Sequence, residues 1–353
     1  TGAAQADPKV YGILHFSVNA QSEKEHTGGT PTTPGTVVVS DGLNMTSNTS
    51  AIGVKGSEDL GGGLKAIYKA EFKIDPFAGD PDGGSLQRRD VWVGLKGGWG
   101  KLAAGTMSSN YKQMGGKVDR LYRTLVEGRG DLNIQSRFHG SAGTDGGRMT
   151  QALQYTTPKM AGIELVLNTS VSNKDGEQAT TPPISNDETV GIGIRWSNKN
   201  WLLYADYLDP NRPSTGAFSE DATNCYPNCD KDESVSKIGG KWSNKSFQVS
   251  AQYEATQDQL GGDYVFLNGW WKINKKNDLT FSFGQQDKIS QGYALGYVFK
   301  MSKQTNVYAA YGFVEADKCD STNTVCSYDL GEKSDGTANK DQSLISLGIR
   351  KSF

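Results

Sequence analysis

The chain has 353 residues, a net charge of −2 and a hydrophobic content of only 35%. No stretch approaches the ~18 consecutive apolar residues that a transmembrane helix needs, so helical spans are excluded, and the near-neutral charge gives no indication of nucleic-acid binding. A polar chain of this kind is compatible with an ordinary soluble all-β protein. It is also compatible with a membrane β-barrel, because only alternate strand residues must then be apolar.

Two kinds of connection alternate along the chain. Short turns rich in Gly, Asn, Lys and Ser lie near residues 59–63, 97–100, 157–161, 197–200, 243–246, 274–278 and 301–304. Longer polar stretches cover about 21–47, 74–87, 108–147, 173–188, 209–234, 257–262, 286–290 and 315–341. Seven turns and eight loops predict sixteen antiparallel strands, with both termini at the short-turn side. Short turns at one rim and long loops at the other are typical of a transmembrane barrel, with periplasmic turns and extracellular loops.

The segments between these connections alternate in polarity. In residues 190–196 and 247–253 every second side chain is apolar, and residues 345–353 end the same way on Phe353. A soluble barrel would show the same period, so the aromatic residues decide between the two. They cluster beside the short turns, as expected for an aromatic girdle at a membrane interface. The alternative is that two similar hairpins each pack their aromatic rings on a hydrophobic core. The members of this predicted girdle are Trp196, Trp201, Trp242, Phe247, Trp271, Phe299 and Phe353.

The four cysteines form two local pairs in polar stretches, Cys225 with Cys229 and Cys319 with Cys326. Four cysteines allow three connectivities, of which local pairing is favoured because each bond closes a short loop. Such disulfides indicate an oxidising compartment. A four-cysteine zinc site is disfavoured, since about five predicted strands separate the pairs.

Several short motifs resemble Gram-negative general porins, nearest to those of beta- and gammaproteobacteria. They include Tyr11-Gly12, the run from Ala51 to Gly61, the run from Val91 to Lys96, the stretch Gln154–Pro158, the turn Met301–Thr305 and the terminal Gly348–Phe353. The matches extend from residue 10 to 353, so the chain is expected to be a single porin domain over 1–353. Each motif is short, and their order and spacing carry the resemblance.

The resemblance implies a homotrimeric barrel in the outer membrane that passes small hydrophilic solutes and ions by diffusion. It implies that the third loop, 108–147, folds into the pore and constricts it, and that the second loop, 74–87, contacts a neighbouring protomer. It also implies that the barrel-assembly machinery reads Phe353. Separately, the acidic residues near Cys229 are expected to form a hydrated loop face, with a divalent-ion bridge to lipopolysaccharide as the alternative; they are Asp230, Asp232 and Glu233.

A passive pore needs fixed charges at a water-filled constriction rather than a nucleophile. By position in the family pattern, Arg148 and Arg89 are the expected wall arginines, whereas a third arginine is replaced by Ala51. Simple alternation points Arg89 outward and gives Arg88 the better phase. A β-bulge would reverse that assignment, so both residues are candidates.

The third-loop stretch is basic, which predicts an anion preference. Its candidate constriction residues are Arg120, Arg123, Arg129 and Arg137, with the acidic residues Asp119, Glu127 and Asp131. Between 108 and 148 seven basic residues stand against four acidic ones. Lys69 and His15 have inward phase in their strands and join the candidates. The alternative is that several loop charges face outward or pair internally.

Other functional classes have weaker support in the sequence. Asp75, Asp80 and Asp82 are a fragment of a calcium-binding pattern, and no other cofactor is expected. A barrel hydrolase would need a nucleophile with a histidine partner, but the chain has three scattered histidines and no G-x-S-x-G motif. A substrate-specific channel is the closer alternative to a general pore.

Overall fold

The computed structural model describes residues 8–26, 37–77, 86–130, 132, 134–135, 147–170, 189–209, 234–256, 263–286, 290–316 and 340–353. These residues form an all-β structure with one helix, and every strand pair is antiparallel. No helix of the described part is long and apolar enough to cross a membrane. The strands are β1 Lys9–His26, β2 Val37–Ser47, β3 Ala51–Gly61, β4 Leu64–Ile74, β5 Leu86–Gly97, β6 Gly100–Ser108, β7 Arg148–Thr156, β8 Ile163–Ser170, β9 Val190–Ser197, β10 Trp201–Asp209, β11 Val235–Ser243, β12 Phe247–Ala255, β13 Tyr264–Lys272, β14 Asn277–Gln286, β15 Ser290–Lys300, β16 Thr305–Ala316 and β17 Lys340–Ser352. The helix is α1, Asn110–Val118.

The sheet closes into a barrel of sixteen strands, which confirms the predicted count. β2 and β3 are two parts of one barrel strand, because β1 pairs with β2 through residues 16–26 and with β3 through residues 9–13. β1 also pairs with β17, which closes the circle. Each remaining strand pairs with its neighbours in the sequence, as hairpins joined by short connections require.

The first loop is shorter than the predicted range of 21–47. β1 continues to His26 and β2 begins at Val37, so both strands run beyond the alternating segments. Backbone pairing stabilises this extension, because residues 21–25 pair with β2 on one side and with β17 on the other. The side chains of Gln21–His26 are mostly polar, so no hydrophobic pattern marks these residues as strand.

The barrel has an apolar exterior and a polar interior. On β12, Val249 is 60% exposed, whereas its neighbours Gln248 and Ser250 are 5% and 2% exposed. On β9, Ile192 and Ile194 are exposed, whereas Arg195 is buried. A soluble barrel would reverse this arrangement, so the exposed apolar band is the lipid-facing surface.

The predicted aromatic residues lie at the short-turn rim. Trp201, Phe247, Trp271 and Phe353 are exposed, and Trp196, Trp242 and Phe299 are half-buried. The rings of Phe247 and Trp271 stack across neighbouring strands at 6.2 Å. The same rim carries a second stacked pair, Trp99 with Tyr155, also at 6.2 Å, which the sequence analysis did not include.

The chain end seals the barrel seam. The N–H of Phe353 donates to the carbonyl of Gly12 at 3.1 Å, and the N–H of Gly12 donates to the carbonyl of Phe353 at the same distance. The ring of Phe353 lies over Gly12, where a Cβ would come within 2.3 Å of the ring. Glycine is therefore required at position 12 for this close approach.

Replacing Gly12 by valine is expected to lower the temperature at which the folded barrel unfolds, because the Phe353 ring must move. Overpacking of this kind typically costs about 1–3 kcal/mol. The measurement is the temperature at which the compact form converts to the unfolded form on a gel. Gly269→Val is the control, since a Cβ at Gly269 would meet nothing within 4 Å. Equal unfolding temperatures for both variants would contradict a sealing role for the ring.

Candidate pore constriction

The connection between β6 and β7 is here called loop 3 (residues 109–147), and its described part folds into the barrel interior. Ser109 caps α1 by accepting a hydrogen bond from the N–H of Lys112. The buried residues Tyr111, Met114 and Val118 lie at helical spacing, so α1 has one face that can pack on the wall. The helix contacts β9 and β10 most extensively. The predicted path of the third loop into the pore is thus present in the described part, 109–130 with 132, 134 and 135.

Polar contacts fasten the start of loop 3 to the wall. The Asn110 side-chain amide donates to the Asp206 carboxylate at 3.0 Å and to the Ile192 carbonyl at 2.8 Å. The Tyr111 hydroxyl donates to Glu254 at 2.7 Å. Each of these side chains is buried, and losing a partner there leaves an unsatisfied buried group. The helix is therefore held at a fixed position beside β9–β12.

Apolar contacts hold the described part of loop 3 against β10, β13 and β15–β17. The loop side chains in this core are Met114, Val118, Leu121, Val126, Leu132 and Ile134. The wall side chains are Tyr204, Phe266, Ala294, Tyr308, Ala310, Val314 and Leu344. At three wall positions only glycine leaves room for the loop. A Cβ at Gly284, Gly296 or Gly312 would lie 2.4–2.9 Å from a loop side chain. The hydrophobic core of the described residues therefore lies between loop 3 and the inner wall.

Carboxylates organise the turn that follows α1. Asp119 accepts hydrogen bonds from the N–H groups of Leu121 at 2.8 Å and Gly128 at 2.9 Å. Glu127 accepts from the N–H of Arg123 at 2.6 Å and pairs with Arg129 at 2.9 Å. Asp119 is 4% exposed, and this burial raises its pKa to about 6. These two acids thus stabilise the loop backbone.

Lowering the pH from 7 to 5 is expected to strengthen loop 3 docking through Asp119. The docked loop has a pKa of about 6 at this carboxyl, and a solvated Asp titrates near about 3.9. The docked state therefore binds the proton more readily and gains stability as the pH falls through 6. Exchange of the Leu121 and Gly128 amides, corrected for its intrinsic pH dependence, should slow. Asp119→Asn should remove this response, and an unchanged response in that variant would contradict the assignment.

The inner wall at β4, β5 and β7 carries a network of five charged side chains. Arg89 pairs with Glu71 at 2.8 Å, and Arg148 pairs with Asp90 at 3.0 Å. Lys69 lies between them, 3.1 Å from Glu71 and 2.7 Å from Asp90. Three cations therefore share two carboxylates. Buried or partly buried charges of this kind create a strong local field in a channel with low-dielectric walls.

A β-bulge places Arg89 in this network. Across β4 and β5, Ala70 pairs with Val91 and Phe72 pairs with Arg88, so Arg89 and Asp90 together oppose the single residue Glu71. Arg89 is consequently 6% exposed and faces inward. Simple alternation was wrong here because a bulge shifts the side-chain phase by one residue.

Arg88 does not join the constriction. It pairs with the exposed Phe72, and cross-strand partners share a face of the sheet, so Arg88 lies on the outward face. Simple alternation favoured Arg88 only because it took no account of the extra residue that the bulge inserts. The assignment of Arg88 to the pore wall is therefore corrected in favour of Arg89.

A second basic group combines loop 3 with β17. Arg120 and Arg123 of loop 3 and Arg350 of β17 are close enough for mutual electrostatic repulsion. Arg120 stacks on the Trp270 ring at 4.6 Å, while Lys300 pairs with Asp278. Among the described residues, no carboxylate lies within ion-pair distance of the guanidinium of Arg123 or Arg350. Arg120 and Arg350 line a cavity of about 190 Å³ together with Trp270, Asp278 and Lys300.

Loop 3 connects the two basic groups. Its described stretch 110–130 contains five basic residues and two acidic ones. Arg123 interacts electrostatically with both Arg89 and Arg350. Burial, followed by the positive charges of Arg129 and Arg148, lowers the pKa of Lys112 well below its ordinary value. Positive charge thus extends from the wall network through loop 3 to Arg350.

The other candidates have more varied positions. His15 is 1% exposed and hydrogen-bonds Tyr308 at 3.1 Å, so it lies within the wall beneath loop 3. Asp75 pairs with Lys73 at 3.3 Å. The described residues contain no group of His, Cys, Asp and Glu that could hold a metal, and calcium binding stays a prediction. Outside the described residues lie Arg137, Asp131, Asp80, Asp82, Cys225, Cys229, Cys319 and Cys326.

Sequence reasoning missed four members of the site. Glu71 and Asp90 are the acids that order the wall cations, and the Tyr11 hydroxyl donates to Glu71 at 2.8 Å. Arg350 belongs to the second basic group. A signal existed for Arg350, because it alternates with the apolar residues of the last strand. The position of Asp90 depends on the bulge, which leaves no periodic signal.

Comparison with known proteins agrees with this architecture. A sequence model of the Gram-negative porin family matches residues 1–318. The major outer membrane protein P.IB of Neisseria gonorrhoeae is 25% identical over 343 residues, covering 90% of each chain. The protein of the same name from Neisseria meningitidis serogroup B is 40% identical over 205 residues, covering 57% of this chain and 53% of the relative.

Solved structures share the fold. The anion-selective porin from Comamonas acidovorans superposes with a TM-score of 0.71 at 19% identity, covering 99% of this chain and 100% of that one. OmpF of Salmonella typhi, in complex with daunomycin, gives 0.65 at 15% identity, covering 99% and 98%. With its inverted polarity, rim aromatics and inward-folded loop 3, the chain belongs to the Gram-negative porin family and forms a channel in the outer membrane.

Proposed function

We propose that this porin passes small hydrophilic solutes and ions by passive diffusion and prefers anions. The observation that carries the preference is the charge at the constriction. Lys69, Arg89 and Arg148 share only two carboxylates. Arg123 interacts electrostatically with Arg89, and among the described residues its guanidinium has no carboxylate partner. Excess fixed positive charge raises the local concentration of anions and lowers that of cations.

Family membership supports a channel rather than an enzyme. Next to loop 3 lies a cavity of about 850 Å³, whose lining includes Lys112, Lys117, Arg195 and Lys241. General diffusion requires no tight binding site, whereas a substrate-specific channel would bind one solute tightly. The anion-selective relative from Comamonas acidovorans lends further support, by analogy of fold.

The working form that we propose is a homotrimer. OmpT of Vibrio cholerae, described in a trimer form, superposes with a TM-score of 0.59 at 13% identity, which shows a shared fold. We also propose lipopolysaccharide as a contact of the outer loops and the barrel-assembly machinery as the reader of Phe353. Crosslinking of the reconstituted protein, followed by mass determination, tests the trimer, and a monomer alone would overturn it.

Liposome swelling tests the transport proposal directly. Vesicles that contain the protein should swell faster in an anionic solute than in a cationic solute of the same size, and a neutral solute should fall between them. Swelling at equal rates in all three would overturn the anion preference but not diffusion itself. Rates that saturate at low concentration of one solute would favour the substrate-specific alternative.

A further inference from the structure

Four successive turns at the short-turn rim share one conformation. In each, a side-chain oxygen of the first residue accepts hydrogen bonds from the backbone N–H groups two and three residues later. The accepting residues are Asn198, Asn244, Asn274 and Ser302. Side-chain acceptance of this kind fixes a tight turn, because the side chain replaces a backbone acceptor. The residue after the acceptor therefore occupies the same place each time.

That place is a lysine in all four turns. The residues are Lys199, Lys245, Lys275 and Lys303, and Lys276 follows Lys275 directly. We call these five residues the lysine rim. All five are exposed, and none pairs with a carboxylate among the described residues. The four turns themselves, 198–200, 244–246, 274–276 and 302–304, contain no acidic residue.

An exposed apolar side chain adjoins each turn. Trp201 and Phe247 end the first two turns and are 45% and 46% exposed. Ile273 precedes the third and is 42% exposed, and Met301 precedes the fourth and is 58% exposed. Trp201 and Phe247 begin strands whose outward residues face lipid, so the lysines lie at the level of the lipid headgroups.

We propose that the lysine rim binds the phosphate groups of anionic phospholipids in the adjacent, periplasmic leaflet. Lysine side chains lay their methylene stems along apolar surface while the ammonium group reaches the headgroup region. Lysines near an anionic leaflet attract its lipids, and the attraction is screened by salt. The combination of unpaired lysine and lipid-facing apolar residue at each turn fits an amphiphile with a negative head better than a soluble acid. The inference rests on the outer-membrane location and is independent of the anion preference.

Tryptophan quenching by brominated lipids measures this preference. The exposed Trp201 and Trp271 lie beside the rim, so a lipid bound there quenches their fluorescence. The wild-type barrel should be quenched more by brominated phosphatidylglycerol than by brominated phosphatidylcholine at equal mole fraction. We expect relative binding on the order of fivefold at low ionic strength, since charged contacts at membrane surfaces are of this size. High salt should reduce the ratio.

Variants distinguish lipid binding by the lysine rim from attraction by positive charge elsewhere on the protein. Glutamine at all five rim positions should bring the quenching ratio close to one, and arginine at all five should preserve it. The control is Lys55→Gln, which changes an exposed lysine of β3 that lies away from the four turns. This control should leave the ratio unchanged.

A double variant and a competition with glycerol phosphate complete the test. If the five-residue variant does not assemble, the double variant Lys245→Gln/Lys303→Gln should lower the ratio part of the way. Free glycerol phosphate, added at the headgroup concentration, should not displace the lipid. Equal quenching by both lipids in the wild type, or an unchanged ratio in the rim variants, would overturn the proposal. Displacement by glycerol phosphate would also overturn it, in favour of a soluble phosphate site.

Discussion

Replacing both Arg89 and Arg148 by glutamine is expected to abolish or reverse the anion preference of the pore. The change removes two of the three wall cations but leaves Glu71 and Asp90, so the network becomes acidic. We expect the anion-to-cation permeability ratio to fall on the order of tenfold, which corresponds to about 1.4 kcal/mol in relative barrier. The measurement is the zero-current potential across a planar bilayer with unequal KCl concentrations.

Arg88→Gln is the matched control for this experiment. It removes the same charge at the adjacent position, but the bulge places Arg88 on the outward face of the sheet. Its zero-current potential should therefore stay close to the wild-type value. A shift as large as that of the Arg89 and Arg148 variant would contradict the placement of the bulge and the local origin of the selectivity.

Replacing Gly284 by valine is expected to displace loop 3 and lower the single-channel conductance. A Cβ at Gly284 would lie 2.4 Å from the Ile134 Cβ and 2.7 Å from the Ile134 carbonyl oxygen. Neither atom is the flexible end of a side chain, so the loop itself must move. The loop lies between the wall and the pore, and its displacement narrows the channel. We also expect a loss of about 1–3 kcal/mol of stability from overpacking.

Two controls identify the cause of any change in conductance. Gly269→Val adds the same volume to the neighbouring strand β13, where a Cβ would meet nothing within 4 Å. Conductance should then match the wild type. A second change, Ile134→Gly in the Gly284→Val background, should recover part of the lost conductance, because it removes the Ile134 Cβ that the added side chain would meet at 2.4 Å. Unchanged conductance in Gly284→Val would show that loop 3 does not rest against β14.

The fold could be predicted from the sequence because three independent patterns agree. Polarity alternates along the strands, turns and long loops alternate along the chain, and rings such as Trp201 and Phe247 flank the turns. Each pattern follows from a different requirement: the bilayer, the hairpin connectivity and the membrane interface. The extension of β1 to His26 was missed because strand pairing outside the bilayer imposes no polarity pattern.

The constriction was less predictable, because it depends on contacts between distant segments. Arg148 was found from its position before β7, but the choice between Arg88 and Arg89 required the bulge opposite Glu71. Loop 3 did carry a local signal in its capping Ser109 and the helical spacing of Tyr111 and Met114. The wall glycines that receive the loop have no sequence signal of their own, since their role appears only where Gly284 meets Ile134.

The sign of the wild-type zero-current potential tests the central claim most directly. Across a bilayer with concentrated KCl on one side and dilute KCl on the other, an anion-preferring pore lets chloride move ahead of potassium. The dilute side should therefore become negative relative to the concentrated side. A positive dilute side would mean cation preference and would contradict the assignment of Lys69, Arg89 and Arg148 as the selectivity-determining charges.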